Sequence, residues 1–384
     1  MSSVTGSFSF PTQIEFGPAK IEVLPSVLSE KGVSKPLVVT DAGFAGTESF
    51  DKIRKSLDSA EVSWTLFSEV HSNPLEADVH GALACYRENQ CDGVVGIGGG
   101  SPLDVAKAVR LLIKVPTLNL STFNYEDDWS GLVPFIAIPT TAGTGSEVGR
   151  SAVITPQSTK RKAVLFHPEL LAVVAILDPE LTVSLPAHLT AATGVDALTH
   201  CIESYTSPVF QPLCDGIALE GIRMIRESLP LLKDDPSNVA ARGQMLVSAA
   251  MGGIAFQKDL GATHSMAHPL STLHGMHHGL ANALCLPVVM EFNAAAQPGV
   301  YRQIALAMGE DVVKADDPTA DQAAIGAVRG LLETLEIPMG LSRHGINETD
   351  VAALTDEAIL DPCHQTNPVP VSRENFVALY TAAL

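Results

Sequence analysis

Five of the chain's twelve histidines fall within fifteen residues, in the segment HSMAHPLSTLHGMHH: His264, His268, His274, His277 and His278. An even scatter would put fewer than one there. Imidazole is the commonest transition-metal ligand near neutral pH. Upstream, GVDALTH holds Asp196 and His200 four residues apart, a spacing that on a helix puts both side chains on one face, one turn apart. Three imidazoles and one carboxylate complete a four-ligand divalent-metal site. Asp196 supplies the carboxylate. Six histidines compete for the three remaining places, and spacing does not choose among them. His264 and His268 would share one helical face, as Asp196 and His200 do; His274 and His277 are optional.

A second kind of chemistry is written in two glycine-rich loops. Gly98-Gly99-Gly100-Ser101 follows the apolar run Gly93–Ile97 and precedes a helical pattern carrying Asp104. Glycines let backbone approach a ligand closely, and N–H groups at a helix start attract phosphate. The spacing is not GxGxxG, so the usual dinucleotide fingerprint is absent. PTTAGTGSE (Pro139–Glu147) follows the next run, FIAI. Two such loops at successive strand ends point to a nucleotide, because ligands of open α/β sheets sit outside the carboxyl ends of the strands. Asp41, ending PLVVT, would accept a hydrogen bond from an adenosine ribose hydroxyl and favour NAD over a 2′-phosphorylated cofactor.

The elements that must position these groups divide the chain in two. With 384 residues, it exceeds the size at which one hydrophobic core stops growing. Residues 1–185 alternate strand runs (Pro36–Thr40, Gly93–Ile97, Phe135–Ile138, Leu171–Leu177) with helical patterns at Glu76–Asn89 and Leu103–Lys114. Continuously apolar strands are those of parallel sheets covered on both faces. Thr12–Phe16 reads as a further strand at a sheet edge. After Pro186 long helix-compatible segments dominate: Leu189–Tyr205, Cys214–Leu229, Asn238–Ala255, Gln303–Met308, Pro318–Leu335 and Glu348–Ile359. The expected organisation is an α/β domain over 1–185 and an all-helical domain over 186–384.

Composition narrows the partners. A net charge of −19 repels nucleic acid and anionic membrane. The six cysteines form no CxxC pair, and isolated cysteines fit a reducing cytosol. The start, MSSVTGSFSF, lacks the basic and apolar regions of a leader. The longest unbroken apolar run, Leu170 to Leu177, is far short of a membrane span. A cytoplasmic protein binding neither nucleic acid nor membrane is expected.

GGGSPLDVAK (98–107), PTTAGTGSEV (139–148), AATGVDALTHCIESY (191–205), GATHSMAHPLSTLHGMHHGLANALCLP (261–287) and DPCHQTNP (361–368) occur in this order. Taken together they make the chain resemble the iron-containing (group III) alcohol dehydrogenases along essentially its whole length. The resemblance implies a dinucleotide-binding α/β domain with a parallel sheet followed by an all-α domain, the dehydroquinate synthase-like architecture, with the active site in the cleft between them. It puts Asp196, His200, His264 and His278 on the metal-ligand positions and His268 on a histidine near nicotinamide and substrate. Gly99, Gly100 and Ser101 match the pyrophosphate loop, and Thr140, Thr141 and Thr144 line the second loop. Asp41 matches the ribose residue, Asn73 one beside the cofactor and Lys162 one near its ribose. Phe256 and Cys363 border the substrate pocket. The chain departs from the family pattern at Ser271, where glycine is common, and at His277, where proline is frequent. Of the histidine pair, His278 precedes the matching Gly279.

The expected activity is metal-dependent, NAD(H)-linked interconversion of small primary alcohols or diols with aldehydes. His268 is the candidate for proton exchange, Fe2+ the family's metal, and Zn2+ equally suited to the donors. A homodimer is implied by the resemblance. The alternative within the family is a hydroxy-acid dehydrogenase of the 4-hydroxybutyrate type, in which Arg150 or Lys258 pairs with a substrate carboxylate. A phosphorylated-substrate dehydrogenase or lyase would need basic residues beside the metal, and only Lys258 is near the histidine cluster in sequence.

Overall fold

The structure, a computed structural model, describes Phe10 and residues 12–159 and 162–384; the leaderless reading of the first residues concerns positions outside this range. Two compact units result. One comprises Phe10–Leu185 with Ser237–Leu246, and the other Pro186–Pro236 with Val247–Leu384.

The first unit is built on strands β1 (Gln13–Phe16), β2 (Pro36–Val39), β3 (Thr65–Phe67), β4 (Gly93–Gly98), β5 (Phe135–Pro139), β6 (Ser151–Ile154), β7 (Ala163–Phe166) and β8 (Val174–Leu177). Six form one sheet in the order β1-β8-β5-β4-β2-β3, every pairing parallel. Strands β2, β4, β5 and β8 are buried throughout, as their unbroken apolar sequences require when both faces are covered. QIEF alternates polar and apolar residues, and β1 lies at the edge, largely exposed. β6 and β7 form a separate antiparallel pair.

Chain order and sheet order diverge twice: β1 lies beside β8, far from β2, and the chain doubles back between β3 and β4. From β2 the chain moves outward to β3, then returns to β4 and continues through β5 to β8 on the other side. Strands β2 and β4 therefore flank the topological switch point, where the carboxyl ends open a crevice. The turn after β2 carries Asp41; the segment expected as a loop, Gly98–Ser101, is instead the end of β4, the single linking residue Gly99 and the first two residues of the next helix.

Helix α1 (Gly100–Lys114) begins three residues before the apolar pattern at Leu103. Pro102 is compatible with this because a first-turn proline forfeits only an N–H that has no helical partner. The expected strand Leu171–Leu177 is shortened to Val174–Leu177: Leu171 closes a 3₁₀ turn over Pro168–Leu170, donating its N–H to the Pro168 carbonyl at 3.1 Å.

The second unit is helical. Its functional elements are α2 (Ala187–Thr206), α3 (Ala262–His274) and α4 (His278–Ala296). A core of Met266, Leu270, Leu284, Leu354, Phe376 and Tyr380 ties α3 and α4 to the C-terminal helices. By length and composition alone, Val239–Lys258 and His278–Ala296 could each cross a membrane; within their apolar 18-residue stretches, 61% and 67% is buried inside the protein instead. Apolar helices packed in a core meet the same criterion, and unbroken apolar runs do not reveal them because polar residues interrupt these sequences.

Candidate functional site

The β4–β5 register pairs Gly98 with Pro139, so the two glycine-rich loops leave the sheet side by side. Thr140 N–H donates to the Gly98 carbonyl at 2.9 Å. A Cβ built on Gly99 would meet Thr141 Oγ1 at 3.3 Å, and one on Gly100 would meet Thr144 Oγ1 at 3.1 Å. Gly98 has φ 144° and Pro102 packed 2.6 Å from where a Cβ would stand, so only glycine fits there. Ser101 donates its hydroxyl to the Ser72 carbonyl at 2.7 Å, fastening the exposed turn that carries Asn73 to the first loop. Asp41 caps the short helix Ala42–Ala45 by accepting from Phe44 N–H at 2.9 Å. Gly99, Gly100, Ser101, Thr140, Thr141 and Thr144 thus form one surface, and Asp41 lies two residues beyond the end of the neighbouring strand β2.

Beneath the loops lies a polar brace that spacing did not reveal. Lys107 on α1 is fully buried, its ammonium donating to the Ser146 carbonyl (2.7 Å), the Ser146 hydroxyl (2.8 Å) and the Ser151 carbonyl (2.7 Å). Asp104 accepts from Ser146 Oγ and from Val153 N–H, each at 2.9 Å. Burial pulls Lys107 down to about 8, opposed by Asp104 and Glu147. Burial also pushes Glu147 up to about 7, with Lys107 opposing. Lys162 faces Asp104, and burial lowers its pKa against that charge. Replacing Lys107 with Met should destabilise the unit by about 3–5 kcal/mol, because buried acids lose their counter-charge. Urea denaturation followed by fluorescence measures this; an unchanged midpoint would contradict a stabilising brace.

In the helical unit, Asp196 and His200 project from one face of α2, as the i, i+4 spacing requires, and both are buried. His264 stands in the first turn of α3, also buried, and His278 opens α4, half-buried. One donor atom from each of these four residues lies within 4.8 Å of the other three. From Asp196 Oδ1, the Nε2 atoms of His200, His264 and His278 stand at 3.9, 3.9 and 3.5 Å. A tetrahedral cation with bonds of about 2.0–2.2 Å holds its donors about 3.4 Å apart. The spacings from Asp196 lie within about half an ångström of that value, and the Asn282 amide nitrogen stands among three of the donors, 2.7 Å from Asp196 Oδ1 and 3.2 and 3.3 Å from the Nε2 atoms of His264 and His278. Burial opposes ionisation of Asp196, but the imidazoles of His200, His278 and His264 and the Asn282 amide outweigh it and bring the carboxyl to about 2. The donors fit a divalent ion in number, spacing and charge.

The remaining sequence candidates separate. His268 is one turn beyond His264 on α3, yet its Nδ1 donates to Asp361 Oδ2 at 2.6 Å. It groups with Asp361 and Cys363 rather than with the four. Its ring stacks on His278 with centroids 5.3 Å apart. His274, at the end of α3, and His277, before α4, are exposed and outside the four-donor group. Phe256 packs its ring 5.6 Å from that of His200. Burial and the neighbouring Asp361 push the Cys363 thiol well above its ordinary range, so it is a poor nucleophile. Lys258 is not available to a substrate: it is buried, with its ammonium bonded to the Asp215 carboxylate and to the Tyr205 carbonyl at 3.2 Å. Arg150 lies in the α/β unit with its guanidinium 5.7 Å from the Phe166 ring centre.

Three supporting residues went unnoticed in the sequence. Glu203 lies seven residues after Asp196 on α2, a spacing that returns to the same face. Asn282 is four residues after His278 and donates to Asp196 Oδ1 at 2.7 Å. Asp361 heads the DPCHQTNP motif, where only Cys363 drew notice. Gly279 matters differently, because a Cβ there would lie 2.2 Å from the Ala192 carbonyl oxygen of α2. Gly279→Ala should force α4 away from α2, carrying His278 from Asp196. The expected outcome is a loss of about 1–3 kcal/mol in stability and at least about tenfold in metal affinity, read by calorimetry; wild-type affinity would show that α4 can yield without moving His278.

Sheets with loops of this kind at a switch point serve nucleotide-using enzymes, and three imidazoles with one carboxylate serve divalent-metal chemistry. A chain that carries both has the parts of a metal-using, dinucleotide-binding enzyme. Comparison with known proteins narrows this. Residues 11–179 match the family model for iron-containing alcohol dehydrogenase, and residues 190–384 match the C-terminal model of the Fe-containing alcohol dehydrogenase family. The chain belongs to the iron-containing alcohol dehydrogenase family. It is 38% identical to a 4-hydroxybutyrate dehydrogenase of Cupriavidus necator, covering 94% of this chain and 95% of that one. It is 33% identical to an NAD-dependent methanol dehydrogenase of Bacillus methanolicus, covering 98% and 100%. Among solved structures, a 1,3-propanediol oxidoreductase superposes with a TM-score of 0.95 at 36% identity, covering 99% and 100%.

Proposed function

We propose that this protein interconverts small primary alcohols or diols with their aldehydes, using NAD(H) and a divalent metal, Fe2+ or Zn2+. The observation that carries the reading is the convergence of Asp196, His200, His264 and His278 on one buried point. On this reading residues 1–185 bind the dinucleotide, and residues 186–384 form the helical, metal-binding domain. The loop surface formed by Gly99, Gly100, Ser101, Thr140, Thr141 and Thr144 receives the pyrophosphate. Asp41, Asn73 and Lys162 contact the rest of the cofactor.

When bound, the cation supplies Lewis acidity toward a substrate oxygen, and the dinucleotide supplies a two-electron carrier. The chain does the rest. Asp361 fixes the proton of His268 on Nδ1, leaving Nε2 to take or give a proton at the half-exposed edge of the site. His200 and His264 are sealed from water, Phe256 covering His200, while His278 and His268 keep open edges. Substrate therefore enters on the side of the stacked His268–His278 pair, with Cys363 beside it. A cytoplasmic homodimer is part of the same reading.

The deciding experiment is a survey of short alcohols, diols and aldehydes with NAD(H) and NADP(H), on protein reconstituted separately with Fe2+ and Zn2+. Turnover with NADH and short aldehydes is expected. Inactivity on the whole panel with metal fully loaded would end the proposal, and a strong NADPH preference would refute the assignment of Asp41.

The similarity to a 4-hydroxybutyrate dehydrogenase favours a hydroxy acid as the second reading. Of the two cations considered for its carboxylate, Lys258 is committed to Asp215, and Arg150 is the one this reading puts to the test. Arg150→Ala should then raise KM for hydroxy acids about tenfold or more, the scale of a lost charge-assisted bond, while leaving KM for ethanol unchanged. An equal rise for both would argue against charge recognition.

A further inference from the structure

Glu203 projects from α2 into the start of α3 and is buried. Its carboxylate accepts from Gly261 N–H at 3.0 Å, from Thr263 N–H at 2.6 Å and from His264 Nδ1 at 2.6 Å. The first two bonds satisfy backbone donors that a helix start leaves without helical partners. The third has a different consequence. An anionic oxygen requires a hydrogen on Nδ1, and a neutral imidazole carries only one. The lone pair then resides on Nε2, the atom that faces Asp196.

We propose that Glu203 is a positioning residue for the metal site: its buried carboxylate holds His264 in the Nδ1–H form and orients the bare Nε2 toward the cation. This rests on the four-donor reading of the site. Imidazoles that bind metals commonly lend their other nitrogen to such a partner, which sets the tautomer and raises ligand basicity. The packing shows how closely the arrangement is built. A Cβ at Gly261 would come within 2.7 Å of Glu203 Oε1, so a larger residue at 261 would push the carboxylate off its present bonds. The same carboxylate also orders the first turn of α3, coupling the end of the helix to the direction of its ligand.

The test separates this role from helix capping. Zn2+ and Co2+ affinities are measured by competition with a chromophoric chelator on wild type, Glu203→Gln, His264→Ala and the double variant. Glutamine offers one acceptor oxygen to three N–H donors and no charge. Glu203→Gln should weaken binding about 10–100-fold, and the same change in the His264→Ala background should cost under about twofold, because the ligand through which Glu203 acts is gone. Affinity within twofold of wild type, or an equal loss in both backgrounds, would overturn the proposal. Failure of wild type to bind either metal would instead remove the four-donor reading itself. A measurement without variants guards against misfolding: histidine-selective ¹⁵N NMR of the Zn-loaded wild type should show His264 with Nδ1 protonated and Nε2 bound. Metal on Nδ1 would refute the assignment.

Discussion

Asp196→Asn is expected to strip the protein of its metal and lower kcat/KM by at least about a thousandfold, equivalent to about 4 kcal/mol of transition-state stabilisation. Asp196 is the only anion among the four donors, and it lies within 3.5–3.9 Å of all three imidazole Nε2 atoms. Asparagine keeps the volume and removes the charge. Its amide would also face the Asn282 amide, which now donates to the carboxylate. The fold should persist, because the backbone of α2 is untouched; the loss should instead appear in metal content and in metal-dependent thermal stability, which scales with ligand occupancy. Elemental analysis beside steady-state kinetics decides the matter. One equivalent of metal with normal turnover would mean that the buried set is not the catalytic centre.

His268→Ala should give the opposite pattern: metal retained, with kcat reduced about 10²–10⁴-fold, the range typical of a lost acid–base group. The two histidines are one helical turn apart, and the sequence presents them as equivalents. Their partners separate them. Glu203 turns the Nε2 of His264 toward Asp196. Asp361, itself held by the Ser265 hydroxyl and Cys363 N–H, keeps His268 in a different group. Its carboxyl stays below the ordinary range because His268 and these donors outweigh the cost of burial. Loss of metal in His268→Ala would place this ring among the ligands, whereas unchanged kcat with a raised KM would leave it a purely positional role.

The contrast explains how much of the molecule was legible beforehand. PLVV, GVVGIG and FIAIP announce buried parallel strands because residues covered on both faces must be apolar without interruption. The three-residue strand Thr65–Phe67 and the β6–β7 hairpin carry no comparable pattern, and pairing with neighbours alone defines them. The Asp196–His200 pair was readable because a helix converts a spacing of four into adjacency. The same arithmetic linked His264 to His268, where it failed as a guide to role. Lys258 looked available from its place near the histidines, yet Asp215, 43 residues away, holds it.

Residue types and local periodicity by themselves determined the alternation of strands and helices, the two glycine-rich loops and the supply of ligand-type side chains, since these depend on interactions within a few positions of the chain. Only the tertiary structure decided which donors share a centre, which nitrogen of His264 faces it, and that Lys107 braces the loops from beneath. Those outcomes depend on contacts between residues 39 to 93 positions apart, and no local pattern encodes such distances until packing fixes the helices and strands against one another.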